Sequence, residues 1–334
     1  MVSSKDVAKR AGVSQTTVSR VLNNPSVVRK KTIEKVNQTI KELGYRPNSV
    51  ARSLVSNQTK TIALISGPLS NPFFMETTTA IVKYANEQGY RIHVHFENQS
   101  DLEETYAGIF ETKVDGLILS SILYEDRMYE ELKDLQIPIV MFNRRHKEPC
   151  NFIEIDNEEA GYLATKHLID LGHKKISWVG SYLTMSTFRG RFMGYERALK
   201  EAGIPFDQDL IIIKEAGEQS YEAAYQRLIR MSDKITAVYA STDSIALFLL
   251  DRYISEGYQV PEDISLIGTD NVKLAGHASL QISTVGNRER ENLGMIAVKK
   301  LFTMIEQEEI DDSAYQLTLP VHLIERGTTY FLKN

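Results

Sequence analysis

The chain has 334 residues, 42% of them hydrophobic and 25% charged, with one cysteine and a formal net charge of −5. Length and composition allow roughly two to three domains with a sizeable core; the lone Cys150 excludes an intramolecular disulfide, and no apolar run is long enough to span a membrane. Residues 1–60 carry 12 Lys and Arg against 3 Asp and Glu, net +9, whereas the rest carry 27 against 41, net −14. A basic head on an acidic body points to a polyanion partner for the head alone.

The head is patterned to fold rather than to trail as a solvated tail. Ser3 and Asp6 stand at capping-box spacing and predict a helix start, with Val7, Ala8 and Ala11 as its apolar face. Gly12 is free to take a positive φ, and Ser14 is a good N-cap for a second helix. There Val18, Val21 and Leu22 fall on one side while Thr16 and Arg20 point the opposite way, the pattern of a helix-turn-helix facing a groove. A third helix, with Ile33, Val36, Ile40 and Leu43 as its stripe, closes a small core and stops at Gly44. In the segment 47–56, Pro47 is placed to begin a helix and Val50 and Leu54 lie one turn apart with little nearby to bury them. A helix this short is marginal in water, so it is either a plain linker or an element completed by a partner.

From Thr61 short apolar runs alternate with amphipathic stretches: TIALIS, GYRIHVHF, VDGLILS, IPIVMF and NFIEI, then KKISWVG, LIIIK, ITAVYA and DISLIG. This alternation predicts parallel sheets covered on both faces, in two similar lobes that divide near Asp156. In such sheets a ligand sits beyond the carboxyl ends of the strands, which nominates residues 66–74, Asn143, Arg144, Asp243 and Asp270. Asp243 reads equally as a cap of the helix that follows, while for Asp270 the ligand-facing reading is preferred over a cap; Phe73 reads as core and Phe74 as a ring that can stack. No GxSxG, P-loop, GxGxxG after a strand or HExxH occurs, so no enzyme is expected. His93 and His95 share a strand face without a third ligand and read as a polar face, so no metal is expected. The lack of an apolar signal segment, together with the single cysteine, places the expected compartment in the cytoplasm.

The run KDVAKRAGVSQTTVSRVLNNPSVV, then ELGYRPNSVARSL, VDGLIL, RFMGYERAL, VPEDISLIGTDN and LIERGT, strongly resembles the LacI/GalR family of bacterial transcription regulators along nearly the whole chain. The resemblance implies an N-terminal all-α helix-turn-helix head on a two-lobed α/β body like that of periplasmic binding proteins. The expected division is a DNA-binding domain at 1–46, a hinge and linker at 47–60, and an effector-binding and dimerisation domain at 61–334. Within that body, lobe 1 is expected over 61–156 and 287–317 and lobe 2 over 157–286 and 318–330. By position Gln15, Thr16 and Arg20 match the base readers, and their chemistry agrees: Arg pairs with guanine, Gln with adenine, and the Thr methyl touches thymine. Ser14, Thr17, Ser19 and Asn23, with Arg29, Lys30 and Lys31, suit phosphate contacts, though the basic run serves as well as a solvated helix start. Val50, Ala51 and Leu54 fall in the family's hinge helix, which wedges a Leu into the minor groove.

The family's ligand positions agree on Phe74, Asn143 or Arg144, Arg191 and Asp270, with Phe73 and Asp243 beside them; Arg191 is either a bidentate donor or a surface residue. Asp and Arg around an aromatic platform suit a polyhydroxylated ligand, so the expected effector is a sugar or sugar derivative. The alternatives are a regulator sensing a purine or nucleoside, since relatives sensing these use overlapping positions and Met185 stands where some carry a polar contact, and a solute-binding protein without DNA function, which the +9 head disfavours. No cofactor is expected beyond that effector. The partners expected are pseudo-palindromic double-stranded operator DNA, the effector and a second copy of the chain, with a dimer favoured because the sequence ends within a dozen residues of LPVHLIER without a heptad tail.

Overall fold

The computed structural model describes residues 2–23, 25–45, 58–97, 106–109, 112–215, 217–289, 291–307 and 314–332. The chain divides into two compact units, Met1–Thr59 and Lys60–Asn334.

The first unit holds α1 (Ser4–Ala11), α2 (Gln15–Asn23) and α3 (Lys30–Leu43). The capping box forms as its spacing predicts: the Asp6 N–H donates to Ser3 Oγ at 3.4 Å and the Ser3 N–H donates to Asp6 Oδ2 at 2.9 Å. Gly12 ends α1 at φ +62°, a left-handed conformation that lets its N–H reach the Ala8 and Lys9 carbonyls, and Gly44 ends α3 at φ +59°. Val7, Ala11, Val18 and Val36 are fully buried where the three helices meet, with Ile33, Ile40 and Leu43 packed around them.

The second unit alternates strand and helix: β1 (Thr61–Ser66), α4 (Pro72–Glu87), β2 (Arg91–Phe96), β3 (Leu117–Leu119), α5 (Tyr129–Asp134), β4 (Ile139–Phe142) and β5 (Phe152–Ile155). It continues with α6 (Asn157–Asp170), β6 (Ile176–Gly180), α7 (Ser186–Glu201), β7 (Ile211–Ile213), α8 (Glu218–Arg230), β8 (Ala237–Ala240), α9 (Asp243–Ser255), β9 (Ser265–Thr269) and β10 (Ser283–Gly286). The chain ends with α10 (Leu293–Gln307), β11 (Gln316–Leu319) and β12 (His322–Ile324). One sheet has the order β11-β5-β4-β3-β1-β2 and is parallel throughout. The other has the order β12-β10-β9-β8-β6-β7 and is parallel except where β12 runs against β10. Continuous apolar strands such as TIALIS are buried along their whole length, as strands covered on both faces must be.

The chain passes from one sheet to the other after β5, back before α10, and again between β11 and β12. The return to the first sheet extends to Leu319 rather than the expected 317, because Leu317, Thr318 and Leu319 continue the ladder opposite Ile153, Glu154 and Ile155.

Helices α6 and α7 pack backbone to backbone. A Cβ on Gly194 would stand 2.0 Å from the Glu158 carbonyl oxygen, and one on Gly161 would stand 2.0 Å from that of Arg191. Gly194→Ala is therefore expected to lower stability by about 1–3 kcal/mol through overpacking, read as a lower urea midpoint at unchanged slope. An unchanged midpoint would mean that the two helices separate without loss.

Candidate functional site

Two surfaces gather the residues singled out in the sequence. On the head, Gln15, Thr16, Ser19 and Arg20 are exposed on α2, with Thr16 and Arg20 on the side away from buried Val18. Ser14 caps that helix, its Oγ accepting from the Thr17 N–H at 3.0 Å and lying 2.8 Å from the Thr17 hydroxyl, so both side chains already serve the turn. Gln15 is also engaged, its amide donating to Ser4 Oγ at 3.0 Å. Asn23 is the last residue of α2, and Arg29, Lys30 and Lys31 are exposed at the start of α3. Val50, Ala51 and Leu54 lie outside the described residues.

In the body, a cavity of about 350 Å³ opens at the carboxyl ends of the strands of both sheets. Phe73, Phe74, Asn143, Arg144, Arg191 and Asp270 all line it. The roles of the two phenylalanines differ from expectation. Phe74 is the more buried, its ring lying against Gly67, whereas Phe73 is half-buried and meets Phe74 edge-on at 5.3 Å. The lining also takes Glu97, Thr187, Phe188, Tyr221 and Phe248. Sequence reasoning missed these because Phe188, Tyr221 and Phe248 come from helices of the second lobe, and only the fold brings them opposite α4.

Arg191 is 1% exposed, which excludes the surface reading. Its Nη2 donates to Asp270 Oδ1 at 2.7 Å, its Nε to Asn157 Oδ1 at 3.0 Å, and its Nη1 to the Ser241 carbonyl oxygen. One guanidinium thus ties α6, α7 and the ends of β8 and β9. Asp270 holds a φ of +130° just past β9, a conformation non-glycine residues rarely take and one that functional sites tolerate. Burial pushes the Asp270 carboxyl up from its ordinary value, and the Arg191 guanidinium opposes that rise. Across the cavity, Thr187 Oγ1 donates to the Asn143 carbonyl oxygen at 2.7 Å and so bridges the lobes.

Asp243 is placed differently from the expectation that it faces ligand. It is fully buried and outside the cavity lining; its Oδ1 accepts from Thr284 Oγ1 at 2.6 Å and its Oδ2 from the Val272 N–H at 2.9 Å. Nor does it cap α9, a task taken by Thr242, whose Oγ1 accepts from the Ile245 N–H at 3.2 Å. Burial and the nearby Asp270 charge push the Asp243 carboxyl up to about 7, against the hydrogen bonds from Thr284 and Val272.

Folding thus retains a proton on Asp243 that the unfolded chain releases above its ordinary value of 3.8, so this group's contribution to stability falls as pH rises from about 4 to about 7. Buried His167 and His173 are shifted down and change stability in the opposite direction, so the readout is a difference. Wild type minus Asp243→Asn is expected to fall by on the order of 2 kcal/mol between pH 5 and pH 7 in urea unfolding. A flat difference would mean that Asp243 is ionised throughout.

Among the described residues, no helix is long and apolar enough to cross a membrane. A family model described as "Bacterial regulatory proteins, lacI family" matches residues 4–48, and one described as "Periplasmic binding proteins and sugar binding domain of LacI family" matches residues 59–326. The HTH-type transcriptional repressor PurR of Aliivibrio salmonicida (strain LFI1238) is 35% identical over 321 residues, covering 95% of this chain and 96% of its own. Among solved structures, the lac repressor dimer bound to operator and the anti-inducer ONPF aligns with a TM-score of 0.81 at 26% identity, covering 98% of this chain and 99% of that one. A complex of the transcriptional regulator CelR with cellobiose aligns with a TM-score of 0.70 at 28% identity over 98% of this chain and all of that one. The basic helix-turn-helix head, the two-lobed parallel-sheet body and these matches along nearly the whole length converge: the chain belongs to the LacI family of DNA-binding transcriptional repressors and is not an enzyme.

Proposed function

We propose that this repressor senses a purine base or nucleoside held between the two lobes, and that this ligand sets its affinity for operator DNA. The observation that carries the reading is the lining of the cavity: Phe73, Phe74, Phe188, Tyr221 and Phe248 surround the Arg191–Asp270 pair. Flat aromatic faces stack on a planar heterocycle, and a buried carboxylate oxygen accepts from its ring N–H or amino group. Relatives about one-third identical over nearly their whole length carry the name PurR, which favours a purine over the sugar expected from the sequence. A sugar is the second reading, favoured by the description of the matched body as a sugar binding domain and by the cellobiose complex of CelR.

In this proposal residues 1–46 read DNA through Gln15, Thr16 and Arg20, 47–60 connect, and 61–334 bind effector and pair with a second copy of the chain in the cytoplasm. Ligand acts by binding one arrangement of the lobes better than the other, so the same free energy couples ligand and operator affinities. Thermal-shift titration with purine bases, nucleosides and sugars tests the reading, since a ligand at 100 times its Kd stabilises by about 2.7 kcal/mol. A gel shift with the selected compound then reads the coupling. Stabilisation by sugars alone would replace the purine with a carbohydrate.

A further inference from the structure

We infer that the first-lobe end of the cavity is a subsite for a vicinal diol, which makes the ligand a purine nucleoside rather than a free base; this rests on the purine reading above. Glu97 follows β2 and Arg144 lies two residues beyond β4, strands separated in the sheet by β3 and β1. The two side chains nevertheless meet over that sheet: Arg144 Nη1 donates to both Glu97 oxygens, at 3.1 and 3.2 Å. They are 5% and 2% exposed, and both line the same cavity as the aromatic rings. Burying such a pair costs more desolvation than packing apolar side chains there.

The pair is also incomplete. Arg144 Nε is buried and has no hydrogen-bond partner among the described residues, and each Glu97 oxygen has capacity for a further donor. The cavity lining therefore holds a carboxylate acceptor beside a guanidinium with one unmet N–H. Two adjacent hydroxyls satisfy both, one donating to Glu97 and the other accepting from Arg144, as the 2′- and 3′-hydroxyls of a ribose do. A free base stacked among the phenylalanines leaves this end unmet. A phosphate is disfavoured, because the charged lining of Glu97, Arg144, Arg191, Glu218 and Asp270 holds three carboxylates against two guanidiniums. The sugar chemistry expected from the sequence then belongs to one end of the ligand and the stacking chemistry to the other.

Calorimetry on the wild-type chain separates the possibilities with guanosine, guanine, 2′,3′-dideoxyguanosine and guanosine 5′-monophosphate, and with the matching adenine series. The nucleoside of one series is expected to bind at least about tenfold tighter than its base and its dideoxy analogue, and tighter than its monophosphate. A base or dideoxy compound that binds as tightly as the nucleoside overturns the diol subsite while leaving the purine reading intact. Binding by no compound of either series overturns both. Glu97→Gln is expected to bring nucleoside and base to equal affinity. The paired change Glu97→Gln with Arg144→Met removes both charges together, so that a folding defect caused by an unpaired Arg144 does not decide the result; a nucleoside preference that survives it overturns the subsite.

Discussion

Replacing Arg191 with alanine is expected to lower the unfolding free energy by about 3–5 kcal/mol, because it leaves the Asp270 carboxylate buried without its partner. Both side chains are nearly inaccessible, at 1% and 6% exposure. The guanidinium also satisfies Asn157 and the Ser241 carbonyl, so its removal opens three donor–acceptor gaps at once. Contrast Arg197, which pairs with Glu158 and Glu159 at 2.7 and 2.6 Å but is 35% exposed. Solvent screens that network, and Arg197→Ala is expected to cost under about 1 kcal/mol. Distances alone do not tell the two apart; burial does. Adding Asp270→Asn to Arg191→Ala removes the stranded charge and is expected to recover at least half of the lost stability, with effector binding still absent from both variants. Urea unfolding of wild type, Arg191→Ala and the double variant measures the loss and its recovery. A single-variant loss below 1 kcal/mol, or no recovery in the double variant, would show that water reaches Asp270 and that the pair does not organise the cavity.

That cavity was partly legible beforehand, and the reasons are residue by residue. The head was readable because its signals are local: Ser3 with Asp6, Gly12, Ser14 and the Ile33–Leu43 stripe each specify structure within a turn or two. The rule that ligands sit past parallel strands found Asn143, Arg144 and Asp270, since each lies within two residues of a strand end. The same rule misplaced Asp243, because it fixes where the backbone lies and not where the side chain turns. Here Thr284 and the Val272 N–H draw the carboxylate into the core. Strand β10 escaped notice because Ser283 and Thr284 interrupt its apolar run, their hydroxyls being used by Thr329 and Asp243 respectively. Glu97 directly follows β2 and met the strand-end rule without being drawn from it, whereas Phe188, Tyr221 and Phe248, on helices, carried no signal of their own. They become a site only when strands and helices far apart in sequence converge.

On the head, Arg20→Ala is expected to cost about 1–3 kcal/mol per half-site on the operator, and little on random DNA. Arg20 is exposed on α2 one turn beyond Thr16, on the face opposite the buried Val18. From there its planar guanidinium can pair with guanine O6 and N7 together, a contact that random DNA offers only by chance. Non-specific binding depends on the number of phosphates neutralised, so the variant should reduce its salt slope by no more than about one. Gln15 should matter less. Its amide already donates to Ser4 Oγ, and reading an adenine exchanges that bond for another rather than adding one. The order Arg20 before Gln15 is thus set by prior engagement and not by proximity to DNA alone. Affinities of wild type, Arg20→Ala and Gln15→Ala for an operator recovered by selection, and for random DNA at the same salt, test that order. Equal losses on the two DNAs would assign Arg20 to the phosphate backbone, and a larger loss for Gln15→Ala would show that its bond to Ser4 is given up on binding.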